Sequence, residues 1–376
     1  MNRLSTFAAL AVTLLWSLTS ARAADDHFPT LELGASAPDF ALPGVDDKTH
    51  KLADFASAKL LLVLFTVNHC PTAQYYEERL KKIVTDYQPK GLAVVAISPN
   101  DPTSVRLDEL GYTDLSDSFE EMKIRATDRG YNFPYLYDGD TETVSKAYGP
   151  LATPHAFLFD AARKLRYVGR IDDSERPDYV TTHDLTDAID QLLAGKEVTN
   201  PKTKVVGCSV KWGGKSSAVK TYMDKLATLP VTLEQVDAEG LKALRKNDSG
   251  KVRLVNFWST FCGPCVTEFS EIVDLHRRFG HRNFEIVTVS ANYPDEDKEV
   301  LAFLKKRQAA TKNLIFASNN KPKLMEAFDP TWDDGLPYTL LISPKGEILW
   351  KTDRAIDPIE ARRAIVKALK EDRFKN

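Results

Sequence analysis

Cysteine is scarce in this sequence, whose 376 residues include four, at positions 70, 208, 262 and 265. Four cysteines are too few for a disulfide scaffold of this size. An excess of one charge is also lacking: the formal net charge is −3 and no basic run or phosphate loop occurs, which argues against nucleic acid as a partner. Beyond the N-terminal segment, no apolar run approaches the ~20 residues of a transmembrane helix. The four cysteines are therefore candidates for a chemical role rather than a structural one.

The N-terminus has the pattern of a secretory signal. Arg3 precedes an apolar run over residues 7–16, and an A-x-A cleavage site follows at residues 21–23. We therefore expect residues 1–23 to be a signal peptide and the mature protein to be exported to the periplasm or the extracellular space, without a stable membrane span. An uncleaved signal would instead tether the chain.

The strongest local signal is VRLVNFWSTFCGPCVTEF, at residues 252–269. A β-branched and aromatic run predicts a strand, and the apolar spacing after Cys262 predicts a helix. Cys262 then lies at the helix N-terminus, where the helix dipole lowers a thiol pKa from ~8.5 to ~3.5–7.5. Cys265 lies one turn away. The pattern predicts a two-electron switch in which Cys262 attacks a partner disulfide and Cys265 resolves the mixed disulfide.

Two other interpretations of the C-G-P-C motif are weaker. A structural disulfide between Cys262 and Cys265 would close so short a loop that it gains little entropy. Half of a zinc site would need further ligands, and the sequence has no second C-x-x-C or nearby histidine pair. We therefore expect a redox disulfide here, with no metal and no cofactor.

The stretches WSTFCGPC and LPYTLLISPKGEILW resemble the thioredoxin fold, specifically the exported TlpA/ResA-like thiol-disulfide oxidoreductases, over residues 225–376. The resemblance implies an enzyme of that activity, with a disulfide-bearing protein substrate and an external electron donor. It also implies that Pro337 is cis and packs against the active-site sulfurs. A cis proline leaves the neighbouring backbone free to pair with an extended substrate.

One strand position departs from cytoplasmic thioredoxin. Asn256 stands where that protein has a buried aspartate, and an amide cannot accept a proton. The exported family often has an acid three residues after the second cysteine, which corresponds to Glu268. Because residues i and i+3 share a helix face, Glu268 is a candidate proton acceptor for Cys265. A solvated helix charge is the alternative.

The chain repeats this layout in its first half. In residues 60–80, Phe65 and Cys70 stand opposite Phe257 and Cys262, and residues 153–173 repeat the proline, strand, turn and strand of residues 336–357. The sequence therefore contains an internal repeat. It predicts an α/β protein of two tandem thioredoxin-like domains, each with a mixed sheet and helices on both faces.

The first copy has lost one sulfur, because Ala73 stands at the position of the resolving cysteine. Residues 31–213 resemble the peroxiredoxin-like, AhpC/TSA-related (redoxin) branch of the superfamily through GASAPDFALPG, NHCPTAQ, TPHAFLFD, GRIDD and GCSVKW. Peroxiredoxins have a proline and a threonine seven and three residues before their peroxidatic cysteine, where this chain has Val63 and Val67. This departure favours a single-cysteine thiol site and leaves peroxide reduction open.

Two histidines are candidates for making Cys70 reactive. His69 precedes it, and His155 follows Pro154, which matches the cis proline of the second copy. An imidazolium stabilises a nearby thiolate. The alternative is that both rings are simply solvated.

Cys208, in VVGCSVKWGGK, is the candidate resolving partner of Cys70. Its segment follows a predicted helix and precedes a glycine-containing linker, so it has room to fold back over the first domain. A permanent Cys70–Cys208 disulfide and two unrelated thiols are the alternatives, since a disulfide needs Cα atoms within about 7 Å.

The coarse prediction places domains at residues 31–213 and 225–376, joined by a linker at 214–224. A further predicted helix over 217–229 is assigned to either of the two domains. The first domain has predicted strands at 60–66, 92–97, 156–159 and 165–168 and helices at 73–86, 141–148 and 183–193. The second has predicted strands at 252–258, 284–290, 339–342 and 348–351 and helices at 264–279, 295–306, 322–328 and 358–370.

Three function classes remain at this point. The first is an exported thiol-disulfide oxidoreductase with an accessory first domain, and the second is a thiol peroxidase whose Cys70 is recycled by C-G-P-C. The third is a copper-handling module, the weakest because such proteins have a second cysteine where this chain has Gln74. Gly263 and Pro264 match thioredoxin, whose potential is about −270 mV, which favours a reductant.

Overall fold

The structure is a computed structural model that describes residues 28–369. The predicted signal peptide at residues 1–23 lies outside the described residues. Across 28–369, no helix combines the length and the apolar character needed to cross a membrane. Two separate main sheets, one in each half of the chain, organise the fold.

The first half contains a five-stranded mixed sheet in the order β5-β4-β3-β7-β8. Strands β3, β4 and β5 are parallel, whereas β7 and β8 are antiparallel to their neighbours. The strands of this half are β1 (Ala41–Pro43), β2 (Thr49–Lys51), β3 (Leu60–Phe65), β4 (Leu92–Ser98), β5 (Tyr135–Tyr137), β6 (Ala152–Thr153), β7 (His155–Phe159), β8 (Leu165–Gly169) and β9 (Cys208–Ser209). Its helices are α1 (Pro71–Tyr87), α2 (Phe119–Arg129), α3 (Thr143–Tyr148) and α4 (Asp184–Leu193).

The second half contains a six-stranded mixed sheet in the order β10-β13-β12-β11-β14-β15. Strands β14 and β15 are antiparallel to their neighbours and the rest are parallel. The strands are β10 (Glu234–Val236), β11 (Val252–Trp258), β12 (Phe284–Ser290), β13 (Lys312–Phe316), β14 (Tyr338–Ile342) and β15 (Ile348–Thr352). Its helices, with the preceding α5, are α5 (Ser216–Ala227), α6 (Ala238–Lys246), α7 (Gly263–Phe279), α8 (Asp297–Lys306), α9 (Lys321–Phe328) and α10 (Pro358–Ala368).

Both central strands are buried on both faces, as their continuous apolar runs predict. In β3, Leu62 and Leu64 join a cluster with α1 and α4, whereas Leu61 and Val63 join another with α3. In the second half the faces of β11 pack in the same way, against α6 and α9 on one side and α7, α8 and α10 on the other. Helices therefore cover both faces of each sheet.

The two sheets share one topology. The order β5-β4-β3-β7-β8 matches β13-β12-β11-β14-β15, and β10 is an addition at the edge. A register irregularity between Leu158 and Phe159 recurs at the matching position, between Leu341 and Ile342. The predicted α/β class with two tandem thioredoxin-like domains is confirmed.

The prediction omitted β1, β2, β5, β6, β9, β10, β13, α2 and α6. The omitted strands have two to five residues, mostly too few to show a hydrophobic period. Helix α2 buries only Met122 and Arg125, so its apolar face is too narrow to stand out in the sequence. Helix α5 fills most of the stretch predicted as a linker, and Arg106 of the first half lies 4.8 Å from the ring centroid of Tyr222 in that helix.

Candidate functional site

Cys262 forms the N-cap of α7, and its sulfur accepts a hydrogen bond from the Cys265 amide at 3.3 Å. The apolar run of β11 ends one strand-to-helix turn earlier, so the sheet delivers the sulfur to the first turn of the helix. Cys262 and Cys265 are joined by a disulfide with a Cα–Cα distance of 5.3 Å. The helix-terminal placement expected from the sequence is therefore present.

The two sulfurs of this disulfide differ in access. Cys262 is partly exposed and is followed by the exposed Gly263, whereas Cys265 is fully buried. Phe261 is 64% exposed, and the ammonium of Lys321 lies 5.1 Å from its ring centroid. An attacking group therefore reaches Cys262 first, beside an open aromatic surface.

Pro337 is the proline that the sequence predicts to lie beside the disulfide. The Leu336–Pro337 peptide bond is cis, and Leu336 packs on the same apolar cluster as Cys262 and Cys265. Strand β14 begins at the next residue, Tyr338. The loop before β14 therefore lies against the active-site turn.

Glu268 lies one helical turn beyond Cys265 and is buried rather than solvated. Its carboxylate accepts hydrogen bonds from Asn256 Nδ2 at 3.1 Å and from the Ile356 amide at 2.7 Å. Burial raises the pKa of Glu268, although both hydrogen bonds oppose the rise. A buried carboxyl with a raised pKa is suited to accept and release a proton.

Cys70 repeats the geometry of Cys262 in the first half. It is the N-cap of α1, and its sulfur accepts from the Ala73 amide at 3.4 Å. As a thiol it donates to the Thr153 carbonyl at 3.1 Å. The Thr153–Pro154 bond is cis, like its counterpart in the second half. Unlike Cys262, Cys70 is fully buried.

Cys208 is the group that covers Cys70. Strand β9 pairs antiparallel with β6, so that Cys208 stands opposite Thr153, and Cys208 packs on the cluster of Val67, Cys70 and Ala73. Both cysteines are free thiols. The structure thus brings together the two sulfurs that the sequence left unpaired.

The two thiols are shifted in opposite directions. Burial raises the pKa of Cys70, but hydrogen bonds from Cys208 and the Ala73 amide and the charge of His69 outweigh it and lower the pKa to about 6. The hydrogen bond to Cys70 and burial raise the pKa of Cys208. These opposite shifts favour the thiolate form on Cys70 and the thiol form on Cys208.

The two candidate histidines differ in charge. His155 is buried, which lowers its pKa to about 3, and its Nδ1 accepts from the Leu151 amide at 3.2 Å. Its ring is neutral and supplies no positive charge. Burial also acts to lower the pKa of His69, but the Asp117 carboxylate, 2.5 Å from Nδ1, raises it overall. His69 is therefore the histidine whose charge acts on Cys70.

Sequence reasoning missed three residues of this site: Asn100, Asp117 and Lys211. Asn100 donates to Asp117 at 2.8 Å, and its amide oxygen accepts from the Lys211 backbone at 2.8 Å. These residues lie in loops separate from the one that carries Cys70, with Asp117 lying 48 positions from His69 and Lys211 lying 111 positions from Asn100, so no motif spacing in the sequence connects them. Only the folded arrangement identifies them.

Comparison with known proteins gives a consistent result. The AhpC/TSA family profile matches residues 33–168 and 227–351. The chain belongs to the AhpC/TSA family. The two matched regions coincide with the two sheets, which confirms the resemblance and the internal repeat.

Curated relatives of this AhpC/TSA family member include thiol-disulfide oxidoreductase ResA. ResA from Bacillus subtilis is 28% identical over 113 residues, covering 30% of this chain and 59% of that protein. ResA from Halalkalibacterium halodurans is 30% identical over 117 residues, covering 31% and 61%. The chain thus spans about three fifths of the length of these relatives. A hypothetical protein from Sinorhizobium meliloti 1021 is a structural match at 38% identity, covering 50% of this chain and 97% of that one, with a TM-score of 0.44.

The two AhpC/TSA regions meet away from the disulfide. Near the C-terminal end of α7, Arg278 donates to the Leu110 carbonyl at 3.0 Å and the Thr113 carbonyl at 2.8 Å. From α10, Arg362 pairs with Glu121 at 2.9 Å. Cys262 lies at the opposite end of α7, about 24 Å from Arg278 at the α-helical rise. The interface therefore leaves the disulfide outside it.

No group of three or more His, Cys, Asp or Glu side chains among residues 28–369 is arranged to hold a metal ion.

Proposed function

We propose that this protein is an exported thiol-disulfide oxidoreductase whose second domain exchanges disulfides with protein substrates. The observation that carries the proposal is the Cys262–Cys265 disulfide at the N-terminus of α7, with the first sulfur reachable and the second buried. The name of the ResA relatives supports it, and the signal pattern at residues 1–23 supports export.

The exchange begins with the reduced pair. The Cys262 thiolate, stabilised by the helix N-terminus, attacks a substrate disulfide and releases one substrate thiolate. Cys265 then loses its proton to Glu268 and attacks the Cys262 sulfur, which releases the second substrate thiolate. Two electrons pass to the substrate and the Cys262–Cys265 disulfide forms. An external dithiol donor returns the pair to the reduced state.

The backbone of Leu336, before the cis Pro337, is the proposed docking edge for the substrate chain. An extended peptide adds to such an edge through main-chain hydrogen bonds. Phe261, the neighbour of Cys262 in the chain, is 64% exposed, and Tyr293 is 43% exposed; both add an aromatic surface for the partner. Lys321 lies over both rings.

For the first domain, we infer an accessory thiol centre in which Cys208 resolves what Cys70 forms. The contact between these free thiols, with the pKa of Cys70 lowered to about 6, favours this role over two unrelated thiols. The same contact supports a second candidate function, reduction of a small peroxide by Cys70. Direct recycling of Cys70 by Cys262 is disfavoured because the domain interface lies about 24 Å along α7 from Cys262.

The test is a disulfide-reduction assay with a protein disulfide, comparing Cys262→Ser with Cys70→Ser. We expect Cys262→Ser to abolish turnover and Cys70→Ser to retain the wild-type rate. A Cys262→Ser protein that turns over normally would show that the second domain is not the active centre. Peroxide consumption by the Cys262→Ser protein measures the second candidate function separately.

The direction of electron flow has its own measurement, the reduction potential of the C-G-P-C pair. A value near the thioredoxin potential of about −270 mV is expected for a reductant. A value near about −120 mV, typical of strong oxidants, would overturn that direction.

A further inference from the structure

Beside Cys70 lies a buried polar group that disulfide exchange at the second domain does not use. His69 is 2% exposed, and Asp117 and Asn100 are fully buried. Buried ionisable groups are costly unless they are paired and hydrogen-bonded. The arrangement of these three residues therefore needs an explanation.

Asp117 holds His69 at two points. One carboxylate oxygen lies 2.5 Å from the ring Nδ1, and the other accepts the His69 backbone amide at 3.0 Å. Asn100 Nδ2 donates to the first of these oxygens at 2.8 Å. Ring and backbone of His69 are thus fixed by a single carboxylate, itself fixed by an amide.

The network also reaches the segment that carries Cys208. The Lys211 amide donates to Asn100 Oδ1 at 2.8 Å, and the Lys211 ammonium pairs with Glu109 and lies 3.4 Å from Ser209 Oγ. The same polar contacts therefore hold both the His69 ring and the segment that carries Cys208.

We propose that Asp117 is the positioning residue of a Cys70–His69–Asp117 arrangement, in which it keeps the His69 ring charged and in place so that Cys70 reacts as a thiolate. The proposal goes beyond exchange at the second domain and rests on the accessory role inferred for Cys70. A carboxylate that orients an imidazole and stabilises its charged form is a general device for activating a nucleophile. The position in the second domain that matches His69 is Phe261, which precedes Cys262 and has no imidazole. This device therefore belongs to the first domain alone.

The direction in which the pKa of Cys70 moves when Asp117 is removed distinguishes a positioning role from that of a plain neighbouring charge. Asp117 is itself a negative charge near Cys70, and removing a negative charge alone would favour the thiolate. If Asp117 acts through His69, its removal also removes the imidazolium, and the thiolate is disfavoured. Cys208 and Lys211 also act on the pair, Glu109 pairs with Lys211, and Tyr135 faces Asp117; all four stay unchanged in the comparison.

The experiment is a pH titration of thiolate ultraviolet absorbance in the full chain, with the Cys262–Cys265 disulfide closed and Cys70→Ser as the reference. Asp117→Asn should raise the Cys70 midpoint and lower the thiolate-to-thiol ratio at a fixed pH by about tenfold, which is one pKa unit. His69→Phe, which copies the second domain, should give a similar rise. The double variant should show little more than either single change, because both act through one ring.

Asp114→Asn is the matched control, since Asp114 lies in the same loop but pairs with Arg125 and Arg363. Its Cys70 midpoint should equal that of the wild type. A fall of the midpoint in Asp117→Asn would make Asp117 a plain neighbouring charge, and an unchanged midpoint with lower thermal stability would make it purely structural. Either result overturns the proposal.

If Asp117→Asn does not fold, an NMR titration of the His69 ring in the unmodified protein still decides. The proposal expects the ring to hold its proton above the ordinary histidine pKa of about 6.5. A ring that titrates below that value overturns it. Because neither titration involves turnover, failure here is distinct from failure of disulfide exchange at Cys262.

Discussion

The two halves of this chain place a cysteine at the same point of the same fold and then treat it differently. The sulfur-to-amide distance at the helix cap is 3.4 Å for Cys70 and 3.3 Å for Cys262. Three residues on, the first helix has Ala73 and the second has Cys265. Both halves therefore place a sulfur at a helix N-terminus. They differ in where the second sulfur lies: in the same helix in the second half, and on strand β9 in the first.

The backbone segments that precede the two cis prolines also differ between the halves. In the first domain, Thr153 pairs with Cys208 in the short β6–β9 ladder of the same chain. In the second domain, the matching Leu336 precedes β14 and lies partly exposed. The first domain thus pairs this edge with its own strand β9, whereas the matching edge of the second domain is the one proposed to bind a substrate chain. This difference explains why Cys70 is buried and Cys262 is reachable.

The largest predicted effect comes from making the second domain resemble the first. Cys265→Ala leaves Cys262 able to attack but removes the group that resolves the mixed disulfide, so turnover should fall at least about a hundredfold. Mixed disulfides on Cys262 should accumulate and be visible by mass spectrometry. Rapid turnover without trapped adducts would mean that another thiol resolves them. Cys208→Ala in the same background identifies that thiol.

Glu268→Gln tests the proton acceptor that the first domain lacks. We expect the attack of Cys265 on the mixed disulfide to slow by about tenfold. In the wild type the rate of this step should rise with pH as Glu268 loses its proton, and Glu268→Gln should remove that rise. Glu271→Gln is the control, because burial raises its pKa too but it lies further along the helix. An unchanged pH profile in Glu268→Gln would contradict the role.

The same variant has a stability effect with a defined sign. Because the folded-state pKa of Glu268 is raised, the folded protein holds this proton to a higher pH than the unfolded chain. Stability therefore falls as pH rises from the unfolded to the folded pKa, and Glu268→Gln should remove that fall. Thermal unfolding across this pH range measures it.

A smaller effect is predicted for the strand that covers Cys70. A side-chain carbon at Gly207 would lie 2.0 Å from the Thr153 carbonyl oxygen, so Gly207→Val should loosen the β6–β9 contact. A loss of about 1 kcal/mol there would raise the open population, and hence Cys70 alkylation, about fivefold. Val206→Thr, at an exposed neighbour, should leave the rate unchanged. Equal rates in both variants would show that the strand does not control access.

The smallest effect is a redistribution of disulfides in the first domain. Ala73→Cys restores the C-x-x-C spacing, and the new thiol should compete with Cys208 for Cys70 after mild oxidation. Peptide mapping should show both pairings, whereas the wild type shows Cys70–Cys208 alone. If no Cys70–Cys208 disulfide forms in the wild type, the accessory role is wrong.

Most of the fold was predictable because its central strands carry long apolar runs. The predicted strands at 252–258 and 284–290 coincide with β11 and β12. Strands β5 and β10 were missed because three residues carry no readable period. At the sites, C-G-P-C was visible as a local pattern, whereas Asp117 reaches His69 only through the tertiary fold. Local chemistry was therefore readable, and chemistry assembled from distant loops was not.

The most direct test compares the two cysteines in one molecule. In the reduced Cys208→Ala, Cys265→Ala double variant, neither Cys70 nor Cys262 has its resolving partner, so each retains any adduct that it forms. The protein is exposed to a disulfide-bonded protein and then mapped by mass spectrometry. We predict a mixed disulfide on Cys262, beside the open Leu336 edge, and essentially none on Cys70, because the backbone pairing of β9 with β6 still covers Cys70 when the Cys208 sulfur is removed. Comparable adducts on both cysteines, or an adduct on Cys70 alone, would contradict the account.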